Sequence, residues 1–154
     1  MERENETVAE RTFREWLVAM RTLYFTHCCA RKNDSLRNTE SMVSPLQLYQ
    51  AMPTQRFMKR CIEAEVEWAI FSDKYAFVFP HDRIEWYEKP PNSLTPNEKM
   101  KLFDKAFKVL QEYGRACFYY NPGRIHPFYI ELINEMKRRG KDVREITRVD
   151  DVVK

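Results

Sequence analysis

The sequence predicts an α/β fold: a three-layer sandwich with a central, mostly parallel sheet of about four strands and an N-terminal helix. Three observations predict it. Short apolar runs rich in β-branched and aromatic residues alternate with longer stretches of helical periodicity. The helical stretches carry their own start and stop signals, Ser44-Pro45 and Thr95-Pro96 at starts and Gly140 at a stop. A strand–helix–strand alternation of this kind builds a parallel sheet with right-handed crossovers. With 154 residues, no internal repeat and no linker, the chain reads as a single domain, residues 1–154.

The elements follow in order. Val8, Phe13, Trp16, Leu17 and Met20 fall roughly on one stripe, which predicts an amphipathic helix over residues 5–20, packed on the domain. Thr22–Cys28 is the first strand. Residues 29–41 form a polar loop, long for a compact domain and of the kind that carries function. Ser44 caps a helical turn that Pro45 opens, and Pro53 breaks it. A helix over 54–65 turns Phe57, Met58, Cys61 and Ile62 inward, and the strand Glu67–Ser72 follows. Residues 80–95 hold three prolines and no clear periodicity, and read as a loop. Thr95-Pro96-Asn97-Glu98 is a capping box. The helix it starts buries Met100, Phe103, Phe107 and Leu110, and Gly114 closes it. Arg115–Tyr120 is a third strand, ending in the turn Asn121–Arg124. Pro127 opens a last helix, with Phe128, Ile130, Leu132, Ile133 and Met136 inward, and Val143–Thr147 is the fourth strand.

Composition excludes several function classes. With only three glycines there is no phosphate-cradling loop of the nucleotide-binding kinds. No apolar run approaches the ~18 residues of a membrane span, and the charged first ten residues do not resemble a secretory signal. The four cysteines contain no C-x-x-C and read as reduced thiols of a cytoplasmic protein. His27, His81, Asp82 and His126 match no metal-ligand spacing, so neither a metal nor a cofactor is expected. A net charge of +3 permits a nucleic-acid partner without demanding one.

In open parallel sheets ligands bind at the carboxyl ends of the strands. Those ends here are Cys28–Lys32, Ser72–Tyr75, Asn121–Arg124 and Thr147–Asp150, and the first three carry reactive or cationic groups. Lys32 and Lys74 read as an anion pocket, or as two solvated loop lysines. A desolvated lysine beside another cation also serves as nucleophile or base. Cys28 or Cys29 is a candidate nucleophile, activated by His27 or the nearby cations. The competing reading is a buried structural cysteine, and strand alternation would leave at most one of the two facing the crevice. Ser72 and Tyr75 could orient a substrate. Their plainer roles are a hydroxyl bonded to backbone and a half-buried aromatic. Trp86, Tyr87, Tyr119 and Tyr120, interleaved with Arg83 and Arg124, have the composition of a base-stacking surface, though packing explains such residues equally well.

Several of these residues also carry a resemblance. Cys28-Cys29-Ala30-Arg31-Lys32 after a strand is similar to the Cys-Ser-x-x-Lys signature of a family of small uncharacterised α/β domains found in bacteria, archaea and phages. Leu48-Tyr49 resembles that family's Leu-Tyr pair. Phe71-Ser72-Asp73-Lys74-Tyr75-Ala76-Phe77 resembles its Leu-Ser-Ala-Lys-Tyr-Gly-Leu element, and Ile84-Glu85-Trp86-Tyr87 its Ile-Glu-Pro-Tyr. The first element is also similar to one in the archaeosine synthases, which modify a deazaguanine base in transfer RNA. The resemblance implies a fold like that of uracil-DNA glycosylases and a nucleobase or nucleic-acid substrate. This chain departs from the pattern at Cys29 for serine, Asp73 for alanine, Ala76 for glycine and Trp86 for proline.

The combined expectation is a protein that binds or acts on a nucleotide, nucleobase or nucleic acid at the strand ends. Cys28, Cys29, Lys74 and Ser72 are its candidate catalytic residues. Lys32, Tyr49, Tyr75, Tyr87 and Arg124 are its candidate substrate contacts. Whether it is an enzyme stays open at this point. The alternative is a non-catalytic nucleic-acid- or protein-binding module that uses the aromatic-rich loop 76–91, with a homodimer as one form it could take.

Overall fold

A computed structural model describes residues 5–154; residues 1–4 of the charged opening segment lie outside it. Five strands form one sheet: β1 (Thr22–His27), β2 (Glu67–Ser72), β3 (Ala76–Val78), β4 (Arg115–Tyr119) and β5 (Val143–Ile146). Their order across the sheet is β3-β2-β1-β4-β5. β1 pairs in parallel with both β2 and β4, and β4 with β5, while β3 runs antiparallel to β2. The chain builds outward from β1 to β2, then returns to the other side of β1 with β4. That reversal is the topological switch point at which open α/β sheets form their crevice.

Five helices accompany the sheet: α1 (Val8–Met20), α2 (Pro45–Leu48), α3 (Met52–Ala64), α4 (Pro96–Leu110) and α5 (Pro127–Arg138). Side-chain alternation along the strands supplies both faces of the core. Tyr119 of β4 stacks on Phe57 of α3 at 5.6 Å, while Phe71 of β2 meets Phe128 of α5 at 6.4 Å. Phe103 of α4 stacks on Phe128 at 5.8 Å, which locks α4 and α5 together on the second face. The predicted start signals operate as expected. Ser44 and Thr95 form capping boxes with Gln47 and Glu98, and Gly140 takes a φ of 92° just beyond α5. Pro53 does not separate two helices but sits in the first turn of α3, where its missing N–H costs nothing.

Ile62 and Met100, expected on the inner faces of α3 and α4, are 51% and 49% exposed. Three larger features also depart from the sequence expectation. The first is β3, a fifth strand within the apolar stretch after Ser72. It is only three residues long and joins β2 through the tight turn Asp73-Lys74-Tyr75, with Ser72 opposite Ala76. Ala76 holds a φ of 63° there, a left-handed conformation that ordinarily selects glycine. The second is Gly114, which does not close α4, since that helix ends at Leu110. A Cβ at Gly114 would lie 2.4 Å from the Ala19 carbonyl oxygen, so glycine is required by the close approach of α1. The third is α1 itself. It buries no residue, and Val8, Phe13, Trp16, Leu17 and Met20 are 43–69% exposed. The expectation of inward packing fails because the anchors to the domain are backbone and polar. The Gly114 N–H donates to the Arg21 carbonyl at 3.0 Å, and the Arg21 guanidinium grips Glu67 at 2.7 Å.

Candidate functional site

The carboxyl ends of β1, β2 and β4 surround a cavity of about 370 Å³. The turn after β1 contributes His27, Cys28, Cys29 and Lys32. The β2–β3 turn contributes Asp73, residues 86–91 form one wall, and Arg124, His126 and Tyr129 come from the β4–α5 side. The volume lies in the range of small-molecule sites. Much of the wall is aromatic: Trp86, Tyr87, Tyr129 and the His27 ring, which stacks on Tyr129 at 4.8 Å.

Asp73 is the centre of this arrangement. It is 3% exposed, and its Oδ1 has no hydrogen-bond partner among the described residues. Burial pushes its pKa up, while the positive charges of Lys32 and Lys89 pull the other way. A buried carboxylate oxygen without a partner is costly, on the order of 1–3 kcal/mol or more. Trp86 carries the complementary defect: its Nε1–H is buried and has no partner among the described residues, while Arg37 sits over its ring at 4.8 Å. One unspent acceptor and one unspent donor therefore belong to residues that line the same cavity.

The two histidines are fixed in opposite tautomers. His27 Nδ1 lies 2.8 Å from the Cys28 carbonyl oxygen, which can only accept, so Nδ1 carries the proton and Nε2 is left as an acceptor. Burial lowers the His27 pKa, which keeps the ring neutral at pH 7. His126 Nδ1 accepts the Phe128 N–H at 3.0 Å, so its Nε2–H donates to Asn92 Oδ1 at 2.7 Å. His126 is thus the cap of α5, and His27 has the ring nitrogen still free for a ligand.

The sequence-predicted residues divide sharply. Lys32 lines the cavity, its ammonium donating to the Cys29 carbonyl at 2.9 Å and lying 4.5 Å from the Tyr87 ring centroid. Arg124 and Tyr87 line it as well. Both Cys28 and Cys29 do so, because β1 ends at His27 and the alternation that would have separated them ends with it. Cys28 is buried, its pKa pushed up to about 11, and its thiol shares a 3.3 Å hydrogen bond with the Tyr129 hydroxyl. It is a protonated thiol at neutral pH, a poor state for nucleophilic attack. Cys29 is partly exposed and donates to the Arg31 carbonyl at 3.2 Å.

Ser72, Tyr49, Tyr75 and Lys74 lie outside the cavity wall. Ser72 is fully buried and its hydroxyl is fully used: it accepts the N–H groups of Lys74 and Tyr75 and donates to the Tyr87 hydroxyl at 2.8 Å. Tyr49 is buried behind Tyr87, the two hydroxyls 2.6 Å apart. This chain of hydroxyls fixes the β2–β3 turn and the Tyr87 ring, and through the turn it positions Asp73. Tyr75 packs edge-on against Tyr87 at 5.3 Å. Lys74 is exposed, its ammonium 5.8 Å from the Tyr87 centroid and open to neighbouring grooves. Tyr119 and Tyr120 pack on Phe57 and Phe118 and also lie outside the cavity wall.

Sequence reasoning did not single out Asp73 or Tyr129. The signal for Asp73 was present: an acid at the end of a buried strand, at a position where the resembled family has alanine. Among the described residues, no cluster of three or more His, Cys, Asp or Glu side chains is arranged to hold a metal. No family model, no curated protein and no solved structure matches this chain.

Proposed function

We propose that this protein binds a nucleobase, free or as part of a nucleotide or nucleic acid, in the cavity at the carboxyl ends of the sheet, and acts on it there. One observation carries this reading: Asp73 and Trp86, whose Oδ1 and Nε1–H are buried without a partner among the described residues, both line the same aromatic-walled cavity. A nucleobase edge offers N–H donors and N or O acceptors together, and its flat face stacks on aromatic rings. Lys32 and Arg124 have no carboxylate partner within 4.0 Å among the described residues and suit a phosphate at the rim. Of the two thiols, Cys29 is the proposed nucleophile, since burial holds Cys28 protonated. His27 Nε2 is the proposed base.

The alternative module built on loop 76–91 has less support. Phe77, Ile84 and Tyr87 are buried, and Phe79 and Trp86 half-buried. The exposed apolar stripe is on α1, and a second copy of the chain is its proposed partner. The charges of residues 6–21 favour that over a membrane surface, because Glu6, Glu10 and Glu15 balance Arg11, Arg14 and Arg21. A cytoplasmic setting belongs to the same proposal, in keeping with four free cysteines. No helix among the described residues is long and apolar enough to cross a membrane.

The test is thermal unfolding of the wild type, Asp73→Asn and Trp86→Phe against nucleobases, nucleosides and nucleoside monophosphates. The proposal expects at least one base class to raise the wild-type Tm, with the rise lost in both variants. No rise in the wild type, or an undiminished rise in both variants, overturns it.

A further inference from the structure

Beside the cavity lies a second groove of about 440 Å³, whose charge is set by the four lysines Lys74, Lys89, Lys101 and Lys105 and the three acids Asp73, Glu88 and Glu98. The two spaces share Asp73, Glu88 and Lys89, so they adjoin along these residues. Lys89 is spent on Glu98, the pair lying 2.8 Å apart. Lys74, Lys101 and Lys105 are exposed and form no ion pair within 4.0 Å among the described residues; Glu88 is the exposed carboxylate of this groove that is not spent on Lys89, and Lys74 also borders a further groove that carries Glu40 and Glu85. Lys101 and Lys105 lie four residues apart, on neighbouring turns of one face of α4. Such a face does not stabilise the helix, since like charges at that spacing repel.

From this we propose that the ligand is a single-stranded polynucleotide, with one base seated in the cavity against Asp73 and Trp86 and the following phosphates laid along Lys74, Lys101 and Lys105. The inference rests on the base-binding reading of the cavity and adds the track that leads out of it. A lysine ammonium is a compact point charge, suited to phosphates without reading sequence. The cavity is closed in on several sides and admits a base only after it has left its stack, so a paired duplex cannot seat there. The groove carries the charge, the cavity carries the recognition, and Asp73 stands where the two meet.

The experiment uses the whole chain and two probes: a fluorescently labelled mixed-sequence 12-mer, as RNA and as DNA, and the nucleoside monophosphates. Binding of the 12-mer is followed by anisotropy at two salt concentrations, for the wild type and for Lys101→Glu/Lys105→Glu, both at exposed positions. The wild type is expected to bind one or both 12-mers at least tenfold more tightly than any mononucleotide. The double variant is expected to lose at least tenfold of that affinity and to show a shallower salt dependence, by about 1.4 in log–log slope for two phosphate contacts on a single strand. Its Tm shift with mononucleotides is expected to stay at the wild-type value. A 12-mer that binds no better than a mononucleotide, or that binds the double variant as tightly, overturns the track and leaves the cavity reading intact. A wild type that binds neither probe overturns both. The same 12-mer annealed to its complement serves as the control, and a duplex bound as tightly as the single strand overturns the seating of an unpaired base.

Discussion

The two ends of the sheet are made from the same residue types and use them in opposite ways. At the amino ends, Arg21, Glu67 and Tyr113 close on one another. The guanidinium holds Glu67 at 2.7 and 3.1 Å, donates to the Glu112 carbonyl and lies 4.4 Å from the Tyr113 ring centroid, and the Tyr113 hydroxyl donates to Glu67. At the carboxyl ends, Lys32, Asp73, Tyr87 and Trp86 occupy a comparable setting, yet Asp73 Oδ1 and Trp86 Nε1 are left without partners among the described residues. The amino-end cavity is the larger, at about 530 Å³ against 370 Å³. Size therefore does not mark the site. A polar group kept buried and unspent does, because a fold optimised only for stability would pair it or remove it.

The comparison can be broken in four places. The largest effect is expected at Gly114→Ala. The new Cβ overlaps the Ala19 carbonyl, and the loss of stability should be about 2–3 kcal/mol, the cost of forced overpacking, read by urea unfolding. Binding at the far end should be unchanged once the variant is folded. Next comes Ser72→Ala, which strips two backbone N–H groups of their acceptor and should cost on the order of 2 kcal/mol. It should also weaken nucleotide binding, because the turn that carries Asp73 loosens. Ala76→Gly should act in the opposite direction, gaining roughly 1 kcal/mol as left-handed strain is relieved. Smallest is Glu67→Gln. Its partner Arg21 is well exposed, so the pair should be worth at most about 1 kcal/mol, measured as a shift in the urea midpoint that shrinks at high salt.

Much of the fold is legible in the sequence, because capping boxes, prolines and apolar periodicity are local signals. Ser44, Thr95 and Gly140 act where they stand. What stays hidden is set by contacts distant in sequence. Gly114 looks like a helix stop until Ala19 is placed beside it. The stripe of α1 looks like core because amphipathicity gives a helix an apolar face without saying what covers it. The site is legible by region more than by residue. Lys32, Tyr87, Arg124 and the cysteine pair line the cavity, whereas Ser72 and Tyr49 support it from behind. Asp73 shows in the sequence only as an acid at a strand end, because no local signal says that it will be buried. Its burial follows from the β2–β3 turn, which Ser72 closes without any glycine.

Asp73→Asn tests the central claim most directly, with unfolding free energy measured from pH 4 to 8, with and without nucleoside monophosphates. Burial raises the pKa of Asp73. A raised carboxyl pKa contributes stability that is fully present below the unfolded value near 3.8 and lost as pH rises through the folded value. The variant has no such loss. The account predicts that Asp73→Asn equals the wild type near pH 4, is the more stable of the two at pH 7, and no longer gains stability from nucleotides. A variant that is less stable than the wild type at pH 7 and still binds nucleotides would contradict it.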